Sequence, residues 1–276
     1  MVLRRPNARP SRCDELMRHF SALALLLLMP CESAIAFAAA DTIQPRKSGF
    51  DFMRPATQAL QNDDSQNPAM LWVKDGVAHW ALPQGLAKKS CADCHGDAPK
   101  AMRGVAARYP AFSTALNRPA NLAQQINLCR TTKQQAPALP GEDQTLLGLE
   151  AYLALQSRGL PIAPPTDVKL NAARARGEAL FNQRIGQIDL SCKDCHVDQA
   201  GKSLAGNVVP QAHPTGYPIY RLEWQGVGSL QRRLRNCMTG VRAEPYAPGS
   251  EEMVALEAYL ASRAKGMLME SPTVRP

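Results

Sequence analysis

Apolar residues recur at helical spacing in two nearly identical stretches, Leu149-Glu150-Ala151-Tyr152-Leu153-Ala154 and Leu256-Glu257-Ala258-Tyr259-Leu260-Ala261. Each is made of helix formers and predicts a helix with an apolar face. A lone cysteine precedes each stretch: Cys129 stands 20 residues before its leucine and Cys237 stands 19 before. Two further helices are predicted to lead into these cysteines. One has Pro119 in its first turn and runs to about Cys129; the other covers Gly228 to Met238 and stops at Gly240. Alternating strand-like runs are few. The pattern is one of short helices and long loops, and it occurs twice. Pro161, Pro164 and Pro165 stand between the copies as a stiff linker.

Ahead of the first copy the pattern changes. Arg4, Arg5, Arg9, Arg12 and Arg18 form a basic run, Ala22 to Met29 is apolar, and small residues follow to Ala40. Residues 1–40 read as a secretory signal peptide, too short for a transmembrane helix. A periplasmic location is expected. The formal net charge is +8. Residues 1–40 hold five arginines and three acidic residues, so their removal leaves +6. That is too modest to argue for nucleic acid. No other long apolar run exists, so no membrane span is expected. The remaining residues suit two domains of ordinary size, 41–162 and 163–276.

The chemistry lies in two Cys-x-x-Cys-His motifs, Cys91-Ala92-Asp93-Cys94-His95 and Cys192-Lys193-Asp194-Cys195-His196. This is the attachment pattern for c-type haem: two thiols bond one porphyrin and the next histidine ligates its iron. Redox pairs or a zinc site would need a histidine after both second cysteines by accident. Aromatic residues are only 5% of the chain, so each haem must supply much of its domain's core. Short helices around a porphyrin resemble class I cytochrome c domains. The expected fold class is mainly α, two tandem class I cytochrome c-like domains related by internal duplication, with two covalently bound c-type haems.

Each low-spin iron needs a sixth ligand, commonly Met or a second His. His79 and His213 do not match between the copies, and neither do Met102, Met238, Met253, Met267 and Met269. The duplicated candidates are Cys129 and Cys237. The competing reading is a disulfide between them, as expected of spare cysteines in an oxidising compartment. The copies diverge just here. Gln125 and Asn127 of the first are Arg233 and Arg235 in the second, which also has Arg232 and Arg242. Arginine clusters hold oxyanions through forked, charge-assisted hydrogen bonds; a solvated basic face for docking is the blander reading. On this asymmetry the first haem reads as structural or electron-relaying and the second as the reaction centre.

The stretch Arg235-Asn236-Cys237-Met238-Thr239-Gly240-Val241-Arg242-Ala243-Glu244-Pro245-Tyr246 resembles the SoxA family, the dihaem subunits of SoxAX cytochromes. So does Leu256-Glu257-Ala258-Tyr259-Leu260 with Gly266-Met267, and the likeness covers most of residues 41–276. It implies that Cys129 and Cys237 are axial ligands opposite His95 and His196. It further implies that Cys237 corresponds to a ligand carried as a persulfide and Arg233 to a substrate-binding arginine, both catalytic. The implied reaction is L-cysteine S-thiosulfotransfer, in which thiosulfate is joined oxidatively to a cysteine of the carrier SoxYZ and electrons pass to the monohaem partner SoxX in a heterodimer. A dihaem electron carrier without its own substrate and a dihaem peroxidase are the competing functions.

Overall fold

The computed structural model describes residues 45–276, which form one compact unit. The expected signal peptide, with Cys13 and Cys31, lies outside the described residues. The helices are α1 (Pro55–Asn62), α2 (Met70–Ala81), α3 (Cys91–His95), α4 (Ala98–Ala101), α5 (Leu122–Cys129), α6 (Gln144–Leu155), α7 (Asn171–Asn182), α8 (Cys192–His196), α9 (Leu230–Gly240) and α10 (Glu251–Arg263). The strands are short: β1 (Ala111–Ser113), β2 (Arg118–Ala120), β3 (Ser203–Leu204), β4 (Asn207–Val208), β5 (Ile219–Arg221), β6 (Gly226–Gly228) and β7 (Thr273–Arg275). No helix among the described residues is long and apolar enough to cross a membrane. The fold is mainly α, as expected, and its second half repeats the first.

Each repeat is built on one close helix crossing, α2 on α6 and α7 on α10. Glycine makes both possible. A Cβ on Gly76 would lie 2.1 Å from the Gly148 carbonyl oxygen, and one on Gly177 would lie 2.0 Å from that of Ala255. Around these crossings the two copies of the Leu-Glu-Ala-Tyr-Leu pattern bury their apolar faces. Leu149, Tyr152 and Leu153 pack with Val73 and Trp80; Leu256 and Leu260 pack with Phe181, Met238 and Met253. Fully burying such a side chain contributes roughly 1.5–3 kcal/mol. Of the methionines weighed as ligands, Met238 and Met253 belong to this second core and Met102 packs on the first. Met267 and Met269 pack in a third cluster with Ala107 and Ile162.

Two helix starts differ from expectation. Pro119 and Gly228 lie in strands, β2 and β6. β1 pairs antiparallel with β2, Ala111 opposite Ala120, and β5 pairs with β6, Ile219 opposite Gly228. The helices begin later, where Asn121 accepts from the Gln124 amide and Ser229 from the Arg232 amide. Those caps satisfy amides that would otherwise have no partner and so fix the starts. Three-residue strands are too short to show alternation, which is why the sequence pattern missed them. The second hairpin has a third member, since β7 pairs parallel with β5, Ile219 opposite Thr273.

The proline linker is pinned. The Ile162 amide donates to the Met267 carbonyl at 2.8 Å, its carbonyl accepts from Gly266 at 2.8 Å, and the Ala163 amide reaches Ala107 at 2.9 Å. Ile162 is buried. The linker thus joins the two repeats through packing as well as through the chain.

Candidate active site

The motif helices α3 and α8 have five residues each, too few to hold themselves. A capping box closes each one. The Asp93 amide donates to Ser90 Oγ at 3.0 Å and the Ser90 amide to Asp93 Oδ2 at 2.7 Å. Asp194 and Ser191 repeat this at 3.1 and 2.9 Å. The Asp inside each motif is therefore the cap that holds both cysteines, three residues apart, on one helical face.

The loop before each motif ties it to the lone cysteine. Gly85 has φ +63° and Gly186 has φ +74°, and a Cβ on either would lie 2.1 or 2.0 Å from the carbonyl of Gln134 or Val241. Only glycine allows the loop to pass so close under the turn that follows α5 or α9. Cys91 is thereby set near Cys129, and Cys192 and Cys195 near Cys237, close enough for each neighbouring sulfur to raise the thiols further. Burial is the main cause, and it pushes Cys192 up to about 11. None of the six described cysteines is paired in a disulfide, so the alternative of a Cys129–Cys237 bridge is not realised.

A cavity of about 490 Å³ between the second repeat and the segment around α1 is lined by both His196 and Cys237. His196 Nδ1 lies 2.7 Å from the Pro210 carbonyl. An N–H donated there leaves Nε2 with its lone pair, the tautomer that ligates metal. Burial works to raise the Cys237 thiol. The nearby His196 and the charges of Arg233 and Arg221 outweigh burial and hold the thiol below its ordinary value. Leu230, Leu234, Ile219 and Leu260 give the cavity apolar walls. Two attachment thiols, an imidazole of the right tautomer, a further sulfur and apolar walls fit a c-type haem.

The first repeat is more open. Cys94 and His95 are exposed, with the His95 ring tilted against Trp80 at 5.8 Å between centroids. Gln125 Nε2 lies 3.8 Å from the Cys129 sulfur, in the place that Arg233 takes beside Cys237. Tyr109 stands near Cys129 as Tyr217 stands near Cys237.

The arginines around Cys237 are not the expected set. Arg233 lines the cavity. Arg232 stacks on Trp224, 4.2 Å from the ring centroid, and Arg235 donates to the Tyr246 carbonyl at 2.6 Å. Arg242 takes the left-handed position after α9, φ 57°. An unbroken helix cannot direct Arg232, Arg233 and Arg235 to one face, since only residues three or four apart share one. The cavity instead takes Arg54 from the start of α1, Arg221 from β5 and Arg275 from β7, with His213 and Tyr217. Sequence reasoning weighed His213 only as an iron ligand and missed the others. One signal was available: Tyr109-Pro110 recurs as Tyr217-Pro218, 108 residues on, the same shift that relates Cys129 to Cys237. It places Arg221 opposite Ser113.

A family model described as SoxA/TsdA, cytochrome c domain, matches residues 75–162 and 176–269. The L-cysteine S-thiosulfotransferase subunit SoxA of Rhodovulum sulfidophilum is 35% identical over 236 residues, covering 86% of this chain and 82% of its own. The subunit of the same name from Paracoccus pantotrophus is 31% identical and covers 86% and 81%. The crystal structure of SoxXA from P. pantotrophus matches with a TM-score of 0.81 and 31% identity, over 84% of this chain and 87% of that one.

Proposed function

The chain belongs to the SoxA/TsdA cytochrome c family, and on that premise we propose that it is the SoxA-type subunit of an L-cysteine S-thiosulfotransferase. In this reading it is an exported, periplasmic c-type cytochrome that joins thiosulfate to a cysteine of the carrier SoxYZ. Its partner is the monohaem subunit SoxX, in line with the SoxXA complex that it resembles. The single observation that carries the reading is the cavity where Cys237 and His196 meet Arg233, Arg221 and Arg275.

Cys91, Cys94 and His95 would hold one haem and Cys192, Cys195 and His196 a second, with Cys129 and Cys237 available as the remaining iron ligands. Bound haem supplies an electron acceptor beside the sulfur. As the carrier thiol and the thiosulfate dianion form a sulfur–sulfur bond, together they give up two electrons and one proton. The protein's own residues do the rest. Arg233, one turn before Cys237 on α9, and Arg221 on β5 bring positive charge to a site that receives a dianion. Their charge also favours the anionic form of the Cys237 sulfur.

The experiment is turnover with thiosulfate and a carrier cysteine, on protein whose intact mass has been measured. Two haems and conjugated carrier are expected. Electron exchange with SoxX but no conjugated carrier would leave a dihaem electron carrier in its place.

A further inference from the structure

Glu150 and Glu257 hold equivalent places in the duplicated Leu-Glu-Ala-Tyr-Leu helices, and both line a cleft of about 220 Å³ between the repeats. Glu257 is buried and accepts from Asn121 Nδ2 at 2.9 Å. Glu150 Oε2 is shut away from solvent with no hydrogen-bond partner, while Gln231, only 7% exposed, adds its side chain to the hold on Glu257. At roughly 30 Å³ per molecule the cleft has room for several waters. A buried carboxyl beside a half-buried one whose Oε2 is shut from water is costly, and apolar residues of similar volume often serve stability as well or better. A packing role does not account for it.

We propose that Glu150 and Glu257 form a proton-loading site between the two haem-bearing repeats, taking up a proton when the haems are reduced. The proposal rests on the reading that both repeats carry haem. The balance is simple. Conjugation releases two electrons and one proton, and electrons held on the protein add negative charge around the cleft. One carboxylate of the pair then binds one proton and becomes a neutral acid; no other bond forms or breaks.

Burial pushes Glu150 up to about 8, with the charges of Glu257 and Glu142 adding to it. It takes Glu257 to about 7, against the pull of hydrogen bonds from Asn121 and Gln231. Near neutrality the pair is therefore partly protonated, and a small change in nearby charge changes its occupancy. The other groups facing it are Glu142 ahead of α6, Arg232 and Arg235 on α9, and Tyr109 and Tyr217 ahead of the hairpins.

The test is a spectroelectrochemical titration from pH 6 to 9, with redox-difference infrared spectra of the same protein. In the native protein the haem midpoints should fall as pH rises through 7 and 8, because reduction then takes up a proton. A protonated-carboxyl band should grow on reduction. Glu150→Gln and Glu257→Gln should each weaken both signals, and the double variant should remove them. Midpoints independent of pH in native protein carrying two haems would overturn the proposal. So would an unchanged slope in the double variant, which would assign the proton to other groups such as the haem propionates. If the double variant does not hold haem, the native carboxyl band and the single variants decide. An intact mass with one haem would instead overturn the dihaem reading itself.

Discussion

The two lone cysteines sit in nearly the same scaffold and in different chemistry. Around Cys129 and Cys237 the hairpin, the helix cap, the tyrosine, the glycine-tight loop and the capped motif helix all repeat. What changes is charge and enclosure. Cys129 has Gln125 at 3.8 Å and belongs to an open site, with Cys94 and His95 exposed. Cys237 has Arg233 one turn away, Arg221 where the first repeat has Ser113, and Arg275 from a strand with no counterpart. On the proposed ligation, a scaffold that places sulfur against haem leaves little room for change, whereas residues around the proposed substrate site are free to diverge, so the proposed function rests on the differences between copies.

The sharpest way to break this comparison is to remove each sulfur. Cys237→Ala is expected to abolish thiosulfate conjugation with both haems still attached, as a mass spectrum would verify. Cys129→Met should leave turnover measurable and raise the potential of the first haem, because neutral Met ligation favours the reduced iron more than a thiolate does. Comparable loss of conjugation in both variants would mean that the repeats do not divide the work.

Where the copies are the same, equal effects are expected. Gly76→Ala and Gly177→Ala each drive a methyl into a backbone carbonyl about 2 Å away. Overpacking commonly costs about 1–3 kcal/mol, and a rigid carbonyl puts these two at the upper end. Thermal melts should drop by several degrees in both variants, by similar amounts. A large inequality would show that the two crossings are not equivalent supports.

Where they differ, unequal effects follow. Arg233→Ala should lose the charge-assisted hold on the anion, worth about 1.5–3 kcal/mol, or roughly 10- to 150-fold in kcat/KM. Arg233→Lys should recover only part of it, since an ammonium lacks the planar fork. Gln125→Ala should cost little. Equal losses at the two positions would overturn the asymmetric reading.

Much of this was legible in the sequence because covalent attachment leaves little freedom. Cys-x-x-Cys-His fixes where haem bonds, and a duplicated Leu-Glu-Ala-Tyr-Leu fixes where the helices cross. The arginines were read less well. Counting Arg232, Arg233, Arg235 and Arg242 as one cluster ignored helical geometry, which sends Arg232 to Trp224 and Arg235 to Tyr246. Arg221 and Arg275 were invisible for the opposite reason. They come from three-residue strands whose pairing joins positions more than fifty residues apart, beyond the reach of any local pattern.

The smallest expected effect is the most discriminating, and it comes from building the difference rather than removing it. Gln125→Arg gives Cys129 the arginine that Cys237 has, one helical turn away. If that residue alone made the second site, the variant should restore thiosulfate conjugation to protein inactivated by Cys237→Ala. The structure argues against this. Ser113 stands in the place of Arg221, β1 and β2 have no third strand to bring the counterpart of Arg275, and the motif's Cys94 and His95 face solvent. A charge near an open site is screened, and exposed ion pairs are commonly worth about 0–1 kcal/mol. Gln125→Arg should therefore shift the potential of the first haem slightly upward, since a nearby cation resists loss of an electron, and leave the double variant inactive. Recovery of conjugation there would show that a single arginine, not the whole arginine-lined cavity, separates a relay from a reaction centre.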